Sequence, residues 1–166
     1  SYTVYNNAIL NQINNQTPYN VMINGTVENQ NVDYVVTVSL ELDTLIGNQY
    51  THIFIVEDSI FADWSYNISG DFSDTTGYAR NAVRAWNAHP LDISEQSEYQ
   101  EYAGSFNIPE GQWNSDQIKI IAMVQSAANN EVYQAAQSNI NNLVAHDIDG
   151  DGLNGNDDNC PLVYNP

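Results

Sequence analysis

The chain has 166 residues, 42% of them hydrophobic, enough for one domain of ordinary size with a sizeable core. Its 21 Asp and Glu stand against three basic residues, Arg80, Arg84 and Lys119, for a net charge of −18 at pH 7. That balance excludes nucleic acid and anionic membranes as partners, because both are held through Lys and Arg. It suits a protein exported into salty or calcium-rich surroundings.

Tyr2–Gln16 places Val4, Ala8, Ile9 and Ile13 at helical spacing and predicts a short helix, which Pro18 ends. From Tyr19 the period changes to two, with Val21, Ile23 and Val27 on one face of a strand. Asp33–Asp43 is the clearest strand: Tyr34, Val36, Val38, Leu40 and Leu42 point one way, and Val35, Thr37, Ser39, Glu41 and Asp43 the other. One dry and one wet face is the signature of an antiparallel sheet packed on one side. Tyr50–Glu57 is apolar on both faces and reads as a central strand.

Ile60–Ser97 reads as a long, turn-rich loop, with Ala79–Ala88 as a short helical turn that would put Arg80 and Arg84 on one face. In so acidic a chain those arginines are expected to serve as internal salt-bridge partners. Tyr102–Ile108, Gln117–Gln125 and Glu131–Gln137 read as three further strands, although Val132, Ala136, Ile140 and Leu143 also fit a helical period. About six strands with few helices predict an all-β, antiparallel β-sandwich over residues 1–145. No apolar run of 18 residues and no signal peptide is present, so Ser1 reads as a mature or excised N-terminus.

Residues 146–166 differ from the rest. Asp147-Ile148-Asp149-Gly150-Asp151-Gly152 and Asp158 place carboxylates at loop positions 1, 3, 5 and 12, with Gly at position 6. Five of the 21 acidic residues fall in these twelve positions. Two carboxylates about 4 Å apart repel by about 4 kcal/mol at an effective dielectric near 20, so the loop calls for a cation. Asp147, Asp149, Asp151 and Asp158 supply side-chain oxygen, Leu153 its backbone carbonyl, and Asp157 is a further candidate. An all-oxygen set of this size selects Ca²⁺ over Zn²⁺ and Mg²⁺. His146 is a neighbour of the loop, since calcium prefers oxygen. Pro161 forbids the helix that an EF-hand needs after position 12.

The three pieces Asp147–Gly152, Asp158–Pro161 and Asn165-Pro166 together resemble a thrombospondin type 3 repeat. The resemblance implies a tandem, calcium-wrapped array with little regular structure. It also implies that the lone Cys160 forms a disulfide with a residue of the next repeat, and the chain stops where that repeat would begin. The body resembles the C-terminal β-rich region of a Bacteroidota outer-membrane protein family of about 28 kDa, through His52–Ile60, Tyr78–Arg84, Trp113-Asn114 and Gln117–Val124. Where that family often carries histidines beside the Asn81 position, this chain has Arg80 and Ala82. The resemblance implies the exterior of a cell and assigns no chemistry. Asp43-Thr44-Leu45, Asp58-Ser59-Ile60 and Asp74-Thr75-Thr76 resemble the O-glycosylation signal of exported Bacteroidota proteins, making Thr44, Ser59 and Thr75 the candidate sites of a glycoprotein.

Other constellations are weaker. His52, His89 and His146 are the only histidine bases, and no nucleophile elbow accompanies them, so the reading is non-enzymatic. Glu57-Asp58 reads as a strand-ending turn, since adjacent strand residues point to opposite faces; with Asp63, Asp71 and Asp74 it could otherwise contribute to a second calcium site within 57–74. Trp64, Tyr66, Tyr78 and Trp86 are candidates for a sugar-stacking platform, set against the commoner role of aromatics in a core. The sequence therefore predicts an exported, calcium-binding cell-surface or secreted module with a structural or adhesive role. Calcium would stiffen the junction to whatever follows the sandwich. The alternative is a glycan-binding module accessory to a larger secreted enzyme. Its partner at the cell surface, protein or glycan, is left open, and direct membrane insertion is not expected.

Overall fold

A computed structural model describes residues 17–42, 47–64, 75–145 and 147, with the backbone alone for 62–64 and 75–77. The expected helix over Tyr2–Gln16 and nearly all of the calcium segment lie outside the described residues. The described chain forms β1 (Tyr19–Glu28), β2 (Asn31–Leu40), β3 (Gln49–Glu57), β4 (Ile60–Trp64) and β5 (Thr75–Ala79), then β6 (Ala82–Leu91), β7 (Tyr99–Asn107), β8 (Ile118–Ser126) and β9 (Val132–Asn139). Two 3₁₀ turns flank the last two strands, Ser115–Gln117 before β8 and Ile140–Asn142 after β9. There is no α-helix among the described residues.

Three antiparallel sheets result, ordered β1-β2-β7, β6-β3-β8-β9 and β4-β5. The first two, the upper sheet β1-β2-β7 and the lower sheet β6-β3-β8-β9, close a sandwich over one apolar core. From β2 come Val32, Tyr34, Val36, Val38 and Leu40; from β8 come Ile118, Ile120, Ala122 and Val124, all at 0% exposure. Ile53 and Ile55 of β3 complete the lower layer. The period-two pattern predicted this arrangement, and each buried Val, Leu or Ile contributes about 1.5–3 kcal/mol by leaving water. Asn29 and Gln30, at φ 48° and 70°, make the two-residue turn from β1 to β2, which requires positive φ at both positions.

One row across the upper sheet shows why glycine is needed. Gly25, Tyr34 and Gly104 pair in register across β1, β2 and β7. A Cβ at Gly104 would enter the Tyr34 ring, and one at Gly25 would enter the Asp33 carbonyl oxygen. The Gly25 amide also donates to the Val144 carbonyl (2.8 Å), and Leu143 packs on the core, so the chain stays attached to the sandwich through residue 144.

The predicted long loop over Ile60–Ser97 is instead mostly strand, and the helical turn expected over Ala79–Ala88 is β5 and β6. The strand count rises from about six to nine for this reason. β3 with β4, and β5 with β6, are the two arms of a single long hairpin. Its register is unbroken across the middle: Glu57 pairs with Ala82 and Ile60 with Ala79, leaving Asp58 and Ser59 opposite Asn81 and Arg80. There the hairpin bends. Ser59 and Asn81 adopt φ of 56° and 50°, one on each arm, and a bulge follows at Ile55/Val56. The distal half, β4-β5, leaves the lower sheet as a small sheet of its own. Helical periodicity around Arg80 and Arg84 was misleading because the bulge and the bend interrupt the alternation that marks a strand.

Candidate functional site

The bend is held by charge. Asp58 is only 4% exposed, and its Oδ1 accepts the amides of Ser59 (2.8 Å) and Asn81 (3.4 Å), one from each arm. Arg80 Nε lies 2.7 Å from the same oxygen, and Lys119 Nζ lies 2.8 Å from Oδ2. The Lys119 hydrogen bond, helped by the Ser59 amide and the Arg80 charge, outweighs burial and holds the Asp58 carboxyl below its usual range. Glu57, 5% exposed, accepts Arg84 through Nε (2.9 Å) and a terminal guanidinium nitrogen, and takes the Asn114 amide (2.9 Å) on its other oxygen. The Arg84 guanidinium lies 5.5 Å from the centre of the Trp113 ring.

All three basic residues of the chain therefore converge on two adjacent carboxylates. Internal pairing of Arg80 and Arg84 was expected from composition; the inclusion of Lys119 was not, because 61 residues separate it from Asp58. Glu57 and Asp58 are more than a strand-ending turn, since their oxygens face cationic side chains. Among the described residues, no group of three or more His, Cys, Asp or Glu gathers as a metal site. Of the predicted calcium ligands Asp147 alone is described, half-buried; Asp149, Asp151, Leu153, Asp157 and Asp158 lie outside the described residues, as does Cys160. Asp63 has no described side chain, and Asp71 and Asp74 lie outside.

The predicted aromatic group divides. Tyr66 lies outside the described residues, and Trp64 falls on β4 with no described side chain. Tyr78, 65% exposed, meets Phe61 edge to face on the β4-β5 sheet (5.4 Å). Trp86, 57% exposed, is on β6, in a different sheet, and its neighbours are residues that sequence reading did not group with it. It lies beside His52 at 5.9 Å and 10° between ring planes, and beside Phe54 at 6.2 Å and 14°. His52 and Phe54 are 6.3 Å apart at 20°. Trp86 Nε1 donates to His52 Nδ1 (3.2 Å), which fixes the neutral tautomer with hydrogen on Nε2. Burial lowers the His52 pKa and favours that neutral form. Both the indole N–H and the imidazole lone pair lie in their ring planes. A hydrogen bond between rings this nearly parallel sets them edge to edge as one broad surface.

These rings belong to the outer face of the lower sheet. In register, its rows read Pro90–Tyr50–Gln125–Val132, Ala88–His52–Met123–Ala135, Trp86–Phe54–Ile121–Gln137 and Val83–Val56–Lys119–Asn139. No Asp or Glu stands on it, in a chain that has 21. The one charge, Lys119, is spent on Asp58. The outer face of the upper sheet, by contrast, carries Asp33 and Glu101. A groove of about 280 Å³ opens where the aromatic face meets the sandwich end, between Asn48, Gln49, Tyr50, Pro90, Leu91 and Asp92.

The remaining candidates are placed as follows. His89 is on the opposite face from Trp86 and stacks on Tyr102 at 5.0 Å. Ser59, a candidate glycosylation site, is half-buried at the bend. Thr75 opens β5 with no described side chain, and Thr44 lies outside the described residues. No helix among the described residues is long and apolar enough to cross a membrane.

No protein-family model and no curated protein matches the chain. Among solved structures it is similar to HBP35 of Porphyromonas gingivalis, at 12% identity and a TM-score of 0.63, covering 86% of this chain and 47% of that one. The chain thus spans about half the length of that structure. A domain of the outer membrane lipoprotein Omp28 from Porphyromonas gingivalis overlaps at a TM-score of 0.44, with 11% identity over 76% of this chain and 90% of that one. A β-glucosidase from Kluyveromyces marxianus overlaps at 0.38, with 9% identity over 75% of this chain and 14% of that one. The first likeness shows the fold, a β-rich sandwich; the other two are too partial to carry an argument.

Proposed function

We propose that the chain is a non-enzymatic interaction module of an exported protein, which contacts its partner through the open face of the lower sheet. The observation that carries this reading is that face itself: exposed Trp86 beside the half-buried rings of His52 and Phe54, with exposed Tyr50 two residues along β3 and no carboxylate on the strand rows, on an otherwise acid-rich molecule. Large aromatic surface left in water is costly unless a partner covers it, and such patches mark contact sites. The net charge of −18 and the family resemblances support an extracellular or outer-surface location. Residues 146–166 act as a calcium-binding repeat that stiffens the junction between this sandwich, residues 1–145, and a following domain, with Cys160 bonded into the next repeat.

Two measurements test the proposal. Titration calorimetry should register calcium binding that Asp149→Ala or Asp151→Ala abolishes; equal heats from all three proteins would refute the calcium segment. Labelled protein should be retained on an insoluble exopolymer and cell-envelope preparation from the source culture. Trp86→Ala should lose that retention while keeping the wild-type thermal midpoint. Equal retention of both proteins would refute the contact face.

A further inference from the structure

We infer that the partner of this face is an uncharged polysaccharide whose sugar rings lie across the strands on Trp86, His52 and Phe54. The inference rests on the interaction-module reading and names the class of ligand. Charge does most of the discrimination. A second copy of the chain would bring another 18 negative charges to an interface with no cation free to meet them. An anionic polymer meets the same repulsion. A cationic protein would seek carboxylates; the strand rows of this face have none, and Asp92, at the groove end, is a single one. What remains complementary is a neutral surface with flat apolar patches. Pyranose rings provide it, since their axial C–H groups form flat faces that match aromatic rings.

The geometry extends the argument from one ring to several. The row Trp86–Phe54–Ile121–Gln137 crosses four adjacent strands. At about 4.8 Å per strand it runs about 14 Å, the span of two to three linked sugars. Trp86, on the edge strand, offers the exposed end. Exposed Gln137 ends the row with an amide, which donates to and accepts from hydroxyls without charge. The groove beside Tyr50 and Pro90, at about 280 Å³, lies just under the range of small-molecule sites of about 300–1,000 Å³ and would admit one side-branch sugar. The His52–Trp86 hydrogen bond holds the indole in place before any ligand arrives, so less side-chain freedom is lost on binding.

The full chain would be tested by affinity electrophoresis and tryptophan fluorescence against soluble neutral β-glucan and mannan, with alginate as the anionic comparison. Binding to at least one neutral polymer is expected, unaffected by 0.5 M NaCl and weakened about tenfold or more by Trp86→Ala. Gln137→Ala, distant from the rings, should weaken it by a smaller factor and leave the thermal midpoint unchanged. Binding to alginate alone, abolished by salt, would overturn the neutral class. So would a concentration-dependent dimer in sedimentation that Trp86→Ala dissociates. Absence of binding to these polymers, with Trp86-dependent retention on the envelope preparation intact, would overturn the polysaccharide and leave the interaction module standing. Loss of neither retention nor sugar binding in Trp86→Ala would overturn both.

Discussion

Replacing Glu57 by Gln tests whether the bent hairpin is held by charge. The substitution keeps the size of the side chain and an oxygen for the Asn114 amide, but turns an N–H toward the two guanidinium nitrogens that Glu57 now receives. The Glu57 side chain is 7% exposed and that of Arg84 30%. Breaking a buried pair from one side costs about 3–5 kcal/mol, because the other charge is left without its partner. Arg84 keeps some access to water, which sets the expectation at the lower end, about 3 kcal/mol. At roughly 3 °C per kcal/mol for a domain of this size, the thermal midpoint falls by about 10 °C. Arg84→Met removes the stranded charge while keeping an apolar stem over Trp113. Arg84→Met alone strands the buried Glu57 carboxylate and should itself cost about 3 kcal/mol. The double variant should nevertheless recover to within about 1 kcal/mol of wild type in urea denaturation, well short of the roughly 6 kcal/mol that additive losses would give, a coupling of about 5 kcal/mol. A loss below 1 kcal/mol in Glu57→Gln, or additive losses in the double variant, would refute the claim that the pair acts as a unit.

Gly25→Ala should cost about 1–3 kcal/mol, since the new Cβ must displace the Asp33 carbonyl and part β1 from β2; a midpoint within 1 °C of wild type would contradict the packing described. Acid should weaken the fold through Asp58 and Glu98. The Asp58 carboxyl is depressed chiefly by Lys119, and that of Glu98 by the amides of Ser94 and Glu95. Each then takes its proton at lower pH when folded than when unfolded, so the unfolded chain binds more protons in between. The stabilisation is present above the ordinary values of 3.8 and 4.5 and is lost as pH falls through and below them. Midpoints should be level from pH 7 to 5 and drop below 4.5, less steeply in Asp58→Asn; identical slopes for the two proteins would count against it.

The sandwich was legible because its core strands obey a simple alternation. β2 and β8 bury every second residue almost without exception, and period two alone identifies them. β3 was read correctly as central, since it lies between β6 and β8. The hairpin was not legible. β4 and β5 are five residues each, and β6 carries Arg84 in a bulge and Trp86 in the open, so no window there alternates cleanly. The aromatic face was half legible. Trp86 was picked out as a large ring in a polar region. Its partners His52 and Phe54 lie more than 30 residues earlier, and only the β3–β6 register brings them beside it. One signal was available: His52 and Phe54 share a parity in a strand that is apolar on both sides, which marks a second face that something must cover.

The charge distribution connects the bend to the face. With 21 acidic residues and three bases, most carboxylates must face water. A buried carboxylate needs a cation, and this chain gives all three of its cations to the pair at the bend. The remaining acids are thereby excluded from any buried position that depends on Lys or Arg. Among the residues whose side chains are described, the other acids stand on turns, strand ends and the upper sheet, and the strand rows of the lower sheet's open face carry none. Lys119 is the residue that joins the two features, since it rises from the aromatic face and ends on Asp58. Replacing it by Met would free a carboxylate at the border of the face. If neutrality decides the ligand, that change should weaken binding to a neutral polysaccharide little, while leaving the hairpin less firmly bent. A strong loss of binding with the bend intact would show that Lys119 itself, and not the neutrality of the face, is what the ligand meets.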